Sequence, residues 1–126
     1  MQHDEIHRRQ VAVEQLLEAV VAHLDVGQTG VVRQVRKASV AIAIVDDGGH
    51  LLAFERMDGV SPISAEVAVG KAKCSAMTRR PSKFFEDRVK ERPGFATFPA
   101  GMLIQGAVPI LAKNECVGAI GVSGVQ

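Results

Sequence analysis

Three charged residues, Glu55, Arg56 and Asp58, follow an apolar segment at a point where a strand would be expected to enter a core. A guanidinium at the rim of a pocket can hold a carboxylate through paired hydrogen bonds. Arg56 and Asp58 are two positions apart, so a strand places both on the same face. Two interpretations stay open: a local ion pair between these two residues, or a guanidinium of Arg56 positioned at the rim of a binding pocket with Asp58 beside it.

Basic residues are concentrated in the following segment. Between Glu66 and Glu86 the chain has no acidic residue and five basic ones: Lys71, Lys73, Arg79, Arg80 and Lys83. This pattern suits a solvated basic surface or a site for a small anion. Glu66 lies in an otherwise apolar helical segment, where it can transfer protons in acid–base catalysis or only favour the positive end of its helix.

Composition limits the classes of function. The chain has 126 residues, of which 47% are hydrophobic and 4% aromatic, and its net charge is +1. We therefore expect one domain, residues 1–126, with an aliphatic core and no nucleic-acid partner. The polar N-terminus is unlike a signal peptide, and no apolar run is long enough to span a membrane. The two cysteines match no metal-ligand spacing. We expect a reduced, cytoplasmic protein without a metal site.

The first elements predicted are a helix and a hairpin. Apolar residues at steps of three and four predict an amphipathic helix over residues 11–25. Residues 39–46 form a continuous apolar run, which is typical of a strand buried on both faces. Residues 46–49, DDGG, predict a tight turn and an antiparallel return strand. Alternation along that strand places one set of side chains on one face (His50, Leu52, Phe54, Arg56 and Asp58) and another on the opposite face (Leu51, Ala53, Glu55 and Met57).

A second helix is predicted from Ser61-Pro62 to Arg80, and a third within residues 81–92. The second helix has an alanine stripe at positions 65, 68, 72 and 76, which we expect to be covered by another helix of the same chain or of a partner. This stripe favours a homo-oligomer. In the last third, Pro109 predicts an edge strand or a bulge, and Lys113-Asn114 predicts a hairpin turn. Gly118 and Gly121 indicate close approach by a helix, a ligand or another backbone.

The element order, helix, two strands, two helices and about three strands, predicts an α+β fold with an antiparallel sheet of about five strands. The quoted segments VDDGGHLLAFERMDG, SAEVAVGKAKCSA, RRPS, PAGMLIQGAVPI and VGAIGVSG resemble the GlcG/HbpS family of haem-binding or haem-degrading domains. The chain is also similar to the C-terminal domain of the propanediol-utilisation cobalamin adenosyltransferase. The resemblance is strongest over residues 39–124, whereas residues 1–37 form a divergent helix and loop.

The resemblance implies a profilin-like α/β/α fold with a five-stranded antiparallel sheet, helices on both faces and an oligomeric assembly. The chain departs from the family pattern at Cys74, where threonine is usual, and at Ala100-Gly101 and Gly106-Ala107, where paired glycines are usual. It also ends at Gln126, where members usually continue into a helix.

Haem is the cofactor that the resemblance implies. Haem requires an apolar slot, cations for its propionates and usually an axial ligand. The candidate axial ligands are His50, Met57, Lys71, Cys74 and Met77, although His50 also suits a surface position and the sulfur residues suit a core. The candidate anion-binding residues are Arg56, Lys71, Lys73 and Arg80.

Three functions therefore stay open. The first is a protein that binds or senses haem or another small anionic ligand. The second is a tautomerase- or isomerase-like enzyme that acts on a small carboxylated metabolite, with Glu66 as the proton shuttle and Arg56 and Arg80 as anion clamps. The third is a non-catalytic accessory subunit.

Overall fold

The structure, a computed structural model, describes residues 40–57 and 59–124. This part of the chain forms four strands, two α-helices and one short 3-10 helix, in the order β1 (Ala41–Asp46), β2 (Leu51–Arg56), α1 (Pro62–Thr78), α2 (Ser82–Glu91), the 3-10 helix (Pro93–Thr97), β3 (Ala107–Ala112) and β4 (Glu115–Ser123). The helix predicted at residues 11–25 and the side chain of Asp58 lie outside the described residues. The predicted α+β class is confirmed.

The four strands form one antiparallel sheet in the order β2-β1-β4-β3. The prediction of five strands is wrong for the described residues. The strand-like run after Gly101 forms a loop, because Gly101 and Gly106 adopt positive φ angles of 85° and 130°. The N–H of Met102 donates to the carbonyl of Gly70 at 3.0 Å, so this backbone pairs with a helix and not with a strand.

The predicted hairpin between β1 and β2 is confirmed. The N–H of Gly49 donates to the carbonyl of Asp46 at 3.0 Å, and Gly49 has a φ of 85°. The Asp46 carboxylate also accepts the N–H groups of Gly48 and His50, each at 2.9 Å. A short acidic side chain that accepts backbone N–H groups stabilises the turn that the glycine permits.

A β-bulge interrupts the pairing of β1 with β2. Ile44 pairs with Ala53 but Val45 pairs with Leu51, so Leu52 is the extra residue. Strict alternation of side chains is therefore wrong at the start of β2. Leu51 lies on the face that strict alternation assigns to Leu52. The inserted residue shifts the alternation of the side chains on one side of the bulge relative to those on the other.

The hairpin between β3 and β4 also agrees with the sequence. Lys113 and Asn114 adopt the left-handed conformation, with φ angles of 52° and 66°, which is the geometry of a two-residue hairpin turn. Pro109 lies in β3, which is the outermost strand on its side of the described sheet. An outer strand tolerates proline because one of its edges needs no ladder N–H.

Helix α1 packs on the sheet through its small residues. Ala68, Ala72 and Ala76 are buried against alanines of β1 and β4. The expectation that another helix or a partner covers this stripe is therefore wrong. The sheet covers it, because the side chains of β1 and β4 at this point are small enough for the helix to pack directly on them. The homo-oligomer stays a prediction. The helix ends at Thr78, and Arg79 follows with a left-handed φ of 61°.

Both faces of β1 are buried, which confirms the interpretation of its continuous apolar sequence. Ala41 and Ala43 face α1, whereas Val40 and Ile42 belong to a second apolar cluster on the opposite face with Met57, Val108, Ile120 and Val122. The two hairpins thus form a sheet with an apolar cluster on each face, and α1 packs on one of these faces.

Helix α2 and the 3-10 helix enclose a small aromatic cluster. The rings of Phe85 and Phe98 stack with centroids 5.7 Å apart, and Phe84 meets Phe85 edge to face. The Ser82 hydroxyl accepts the N–H of Ala107 at 3.0 Å and so connects α2 to β3. No helix within the described ranges has the length and apolarity to cross a membrane.

Candidate functional site

An open groove of 430 Å³ runs between β2 and α1. Its walls are mostly apolar, and the two charged residues among the described ones come from the helix. The lining residues are Leu51 and Phe54 of β2, and Ala65, Glu66, Val69, Gly70 and Lys73 of α1. This is the space between the second strand and the second predicted helix.

The bulge in β2 builds the strand wall of the groove. Leu51 pairs with Val45 and Phe54 pairs with Ala43, so both side chains lie on the α1 side of the sheet. Without the extra residue, Leu51 and Phe54 would point to opposite faces, because three positions separate them. Two large apolar side chains therefore face the helix at successive points along one strand.

Glu66 and Lys73 form the polar part of the helix wall. Seven residues separate them, which is about two helical turns, so they share one flank of α1 with a rise of about 10 Å between them. Val69 and Gly70 lie between the two charges. Gly70 is covered from the other side by Met102, whose Cβ would be 3.1 Å from a Cβ at position 70. The groove thus has a cation at one end and an anion at the other.

The β1–β2 turn closes the Lys73 end of the groove. A Cβ on Gly49 would lie 3.5 Å from Cγ of Lys73 and 3.5 Å from Cγ of Met77. The side chain of Met77 is 53% exposed, so the interpretation of Met77 as core is wrong. His50 follows the turn, but its Nδ1 lies 3.3 Å from the Asp46 carboxylate and its side chain is exposed. His50 is therefore near the groove without lining it.

Arg56 lies in a second, more polar pocket of 690 Å³ at the start of α1. This pocket shares Phe54 with the groove and is also lined by Glu55 and Pro62. Met57 touches the same pocket, but it is buried and belongs to the apolar cluster on the far face of the sheet. The interpretation of Met57 as a core residue is confirmed. The predicted pairing of Arg56 with Asp58 stays a prediction, because Asp58 lies outside the described residues.

Lys71 lies away from the groove, on the side of α1 that faces the sheet. It is only 7% exposed, and its ammonium donates to the carbonyl of Val122 at 3.2 Å. Burial lowers the pKa of Lys71, and the nearby charge of Glu86 opposes that effect. A charged amine in this position costs free energy unless it is fully hydrogen-bonded.

Arg80 and Cys74 also lie apart from the groove. The Arg80 guanidinium sits 4.5 Å from the centre of the Phe84 ring, in a cation–π contact with α2. Cys74 is fully buried, and burial raises the pKa of its thiol to about 11. Cys74 as a small buried hydrophobe is confirmed. Of the predicted site residues, the structure brings together Glu66 and Lys73, with Arg56 in the adjoining pocket.

The sequence missed the apolar walls of the groove. Leu51, Phe54 and Val69 carry no charge, so residue type gave no reason to select them, although all three lie within the segments that resemble the family. The bulge that orients Leu51 depends on pairing with β1, which a single sequence does not show. One available signal was Phe54 as the only aromatic residue of β2.

Comparison with known proteins identifies the family. The profile of the family described as "Haem degrading protein HbpS-like" matches residues 12–126. The chain belongs to the HbpS-like family. The resemblance found in the sequence motifs is thereby confirmed.

Among curated proteins, this HbpS-like chain is similar to protein GlcG of Escherichia coli strain K12, with 44% identity over 86 residues. The matched region covers 68% of the chain and 64% of GlcG, so it spans less than two thirds of that relative. A 15.0 kDa uncharacterised protein from the dhaT–dhaS intergenic region of Citrobacter freundii is 28% identical over 92 residues, covering 68% of the chain and 63% of that protein.

Among solved structures, a double mutant of HbpS from Streptomyces reticuli superimposes with a TM-score of 0.67 and 28% identity, covering 82% of the chain and 76% of that structure. A complex of PduOC with haem superimposes with a TM-score of 0.64 and 21% identity, covering 82% and 83%. At this identity the second likeness shows a shared fold alone.

Proposed function

We propose that this HbpS-like protein binds a small apolar ligand that carries a carboxylate, with haem as the first candidate, in the groove between β2 and α1. The observation that carries the proposal is the juxtaposition of Leu51 and Phe54 with Lys73 across one groove. The description of the family as haem-degrading and the haem complex of PduOC support haem as the ligand.

The groove has the features that a haem-type ligand requires. Its 430 Å³ falls within the range of about 300–1,000 Å³ that is usual for small-molecule sites. Leu51, Phe54 and Val69 would contact the apolar body of the ligand, and Lys73 would pair with a carboxylate. Bound haem would supply an iron centre that can take an axial ligand.

The axial ligand of a bound haem would come from a residue beside the groove. Among the described residues that line the groove there is no histidine, cysteine or methionine. His50 and Met77 lie beside its Lys73 end, and His50 would have to exchange its contact with Asp46 for the iron. We propose His50 as the ligand because imidazole is a common axial donor in haem proteins.

Titration with hemin, followed by the shift of the Soret band, tests the proposal. Leu51→Asp places a charge on the groove wall, and we expect it to weaken binding about ten-fold or more, since it removes the burial of a leucine. Leu111→Asp is the matched control, because Leu111 has similar exposure (43%, against 52% for Leu51) but lies on β3. Equal binding by the two variants, or no Soret shift in the wild type, would overturn the proposal.

Two further variants separate the roles of the ligand-binding residues. Lys73→Met is expected to weaken hemin binding, with Lys90→Met on α2 as the control for loss of one positive charge. His50→Ala is expected to change the Soret position more than the affinity, because it replaces the iron ligand. Met57→Ala should act only through stability, since Met57 is buried in the core. A Soret band unaffected by His50→Ala removes His50 from the site.

Glu66 in the same groove as Lys73 favours a second function, an isomerase-like enzyme for a small carboxylated metabolite. In that reaction Lys73 would hold the carboxylate while Glu66 moves a proton. A screen of 2-oxo and unsaturated acids tests it, with Glu66→Gln compared with Glu115→Gln on β4. Turnover that is equal in the two variants would exclude Glu66 as the proton shuttle.

Two predictions about the whole protein accompany these proposals. We propose that it forms a homo-oligomer and acts in the cytoplasm. The mass measured by sedimentation at micromolar concentration tests the first, and a monomer of 13.4 kDa would contradict it. Fractionation of the native host tests the second.

A further inference from the structure

We infer that two copies of this chain bind each other through the end of the sheet at which both hairpins turn. We call this surface the turn end; it comprises the exposed side chains at and next to the turns at residues 47–50 and 113–114. The contact rests on the proposed homo-oligomer, and it identifies the surface that joins the copies. It does not depend on the ligand that binds between β2 and α1.

The two turns form one connected surface. Asp46 at the end of β1 pairs with Gly118 of β4, so the turn of the first hairpin lies beside that of the second. Arg79, which follows the last residue of α1, connects them: its Nη1 donates to the carbonyl of Asp47 at 2.6 Å and lies 3.7 Å from Sγ of Cys116. Because these contacts hold the turns in place before a partner binds, association loses less conformational entropy.

Each hairpin has one β-bulge next to its turn, and the extra residue of each bulge is a large apolar one that is exposed. Leu52 is the extra residue of β2 and is 66% exposed. In the second hairpin the register shifts between Ile110 and Leu111, which leaves Val117 as the extra residue of β4. Val117 is 48% exposed and Leu111 is 43% exposed. Three exposed apolar side chains at one end of the sheet are typical of an interaction surface, not of isolated surface positions.

The charges around these side chains favour a second copy as the partner. Two exposed bases, Lys113 and Arg79, lie at the turn end with two exposed acids, Glu115 and Asp47. The ion pairs between described residues use none of these four charges. In a two-fold contact the same surface of each copy faces the other, so a base of one copy can meet an acid of its partner. We assign Lys113 to Glu115 of the partner subunit, and the reverse pair follows from the symmetry.

The size of the turn end suits a reversible dimer. The four strands of the described sheet, about 4.8 Å apart, and one helix layer about 10 Å thick give it a cross-section of roughly 400 Å². Two copies therefore bury roughly 800–1,000 Å² in total, which is at the lower limit of specific interfaces. We expect a dimer that dissociates in the micromolar range. The described lining of the groove includes neither Leu52 nor Val117, so the groove stays open to its ligand.

Sedimentation equilibrium over the micromolar range tests the contact. We expect the wild type to pass from a monomer of 13.4 kDa to a dimer. Leu52→Asp and Val117→Asp should each raise the dissociation constant about ten-fold or more, because each variant places charges in an apolar contact. The matched controls are Ile63→Asp at the start of α1 (62% exposed) and Ile104→Asp in the loop before β3 (43% exposed), which should keep the wild-type value. Circular dichroism and thermal unfolding establish that each variant is folded.

Two charge reversals test the two-fold arrangement. Lys113→Glu and Glu115→Lys should each weaken the dimer about five-fold, because each brings like charges together at both symmetric contacts. An equal mixture of the two variants should form a mixed dimer about as tight as the wild type, since both contacts then join opposite charges. Lys90→Glu on α2 is the control and should leave the dissociation constant unchanged.

The outcomes separate this surface from the other proposals. A wild type that stays monomeric overturns both the homo-oligomer and the turn-end contact. An oligomer that Leu52→Asp and Val117→Asp leave unchanged, or that the two isoleucine controls weaken equally, overturns the turn-end contact alone. Mixed charge variants that fail to associate overturn the two-fold pairing. A protein that dimerises through the turn end but binds no hemin overturns the ligand proposal and leaves this contact in place.

Discussion

Gly121 of β4 lies directly beneath Ala72 of α1. A Cβ at position 121 would lie 2.8 Å from the backbone nitrogen of Ala72 and 3.1 Å from its Cβ, and closer still to the carbonyl oxygen of Ala68. No heavy atom of a larger side chain fits between the strand and the helix at this point. The closeness of α1 to the sheet therefore depends on glycine at this position.

We predict that Gly121→Ala lowers the free energy of unfolding by about 1–3 kcal/mol, because the added methyl group must displace the backbone of α1. Gly94→Ala is the control, since no atom in the described part of the chain lies within 4 Å of a Cβ at that position. Urea unfolding of the two variants measures the difference. A Gly121→Ala variant as stable as Gly94→Ala would mean that the helix moves away from the sheet at no cost.

The two cysteines should differ strongly in reactivity. Cys74 is fully buried and burial raises the pKa of its thiol to about 11, whereas Cys116 is half-buried near the surface of β4. Since the thiolate is the reactive form, we predict one fast and one slow thiol with a disulfide reagent at pH 8. Cys116→Ser should abolish the fast phase, and urea should make Cys74 reactive. Two equal rates in the native protein would be evidence against burial of Cys74.

Lys71→Met is expected to stabilise the protein at neutral pH. The pKa of Lys71 is lowered in the folded state, mainly by burial, so the charged form is disfavoured there relative to the unfolded chain. The penalty is full below the folded pKa and is relieved as pH rises toward the ordinary value of 10.5. Methionine fills a similar volume without a charge to desolvate.

Urea unfolding of wild type and Lys71→Met at pH 7 and pH 10 tests this prediction. We expect the advantage of the variant at pH 7 to shrink at pH 10, because the charged form that burial disfavours is lost from the folded protein first. Lys90→Met, which removes an exposed lysine, is the control and should show no such trend. An advantage that grows with pH would contradict the sign of the pKa shift.

Asp46→Ala should loosen the β1–β2 turn. The backbone N–H of His50 is the main cause of the lowered pKa of Asp46, assisted by the N–H of Gly48 and opposed by desolvation. The stability that Asp46 contributes is present above its usual pKa of 3.8 and is lost as pH falls through the lower folded value. The melting temperatures of wild type and variant should therefore differ at pH 6 and converge in strong acid. Asp47→Ala is the control, and an equal effect would contradict a specific role for Asp46.

Much of the fold follows from local chemistry. Both hairpin turns, the start of α1 at Ser61-Pro62 and the outer position of Pro109 depend on residues whose backbone preferences act within a few positions. The bulge at Leu52 and the loop after Gly101 depend on pairing with distant backbone, which residue type does not report. The number of strands and the identity of the apolar groove walls were therefore missed.

The candidate site shows the same division. The charged residues were predicted as site residues from their type alone. Glu66 and Lys73 do line the same groove, because a spacing of seven residues places both on one flank of a helix. Lys71 is only two positions from Lys73, yet it faces the sheet and is buried. Helical wheels distinguish these faces only when the side that meets the sheet is known. The alanine stripe indicates that side, but the expectation from the sequence is that another helix, of the same chain or of a partner, covers it.

The small residues beneath α1 also determine the shape of the groove. Since Gly121, Ala68 and Ala72 let the helix lie low on the sheet, Leu51 and Phe54 rise beside its flank and leave a shallow trough that is open to solvent. Larger residues at these positions would lift the helix and deepen the trough. The depth at which a ligand can bind is thus determined by residues between the helix and the sheet that the ligand does not contact.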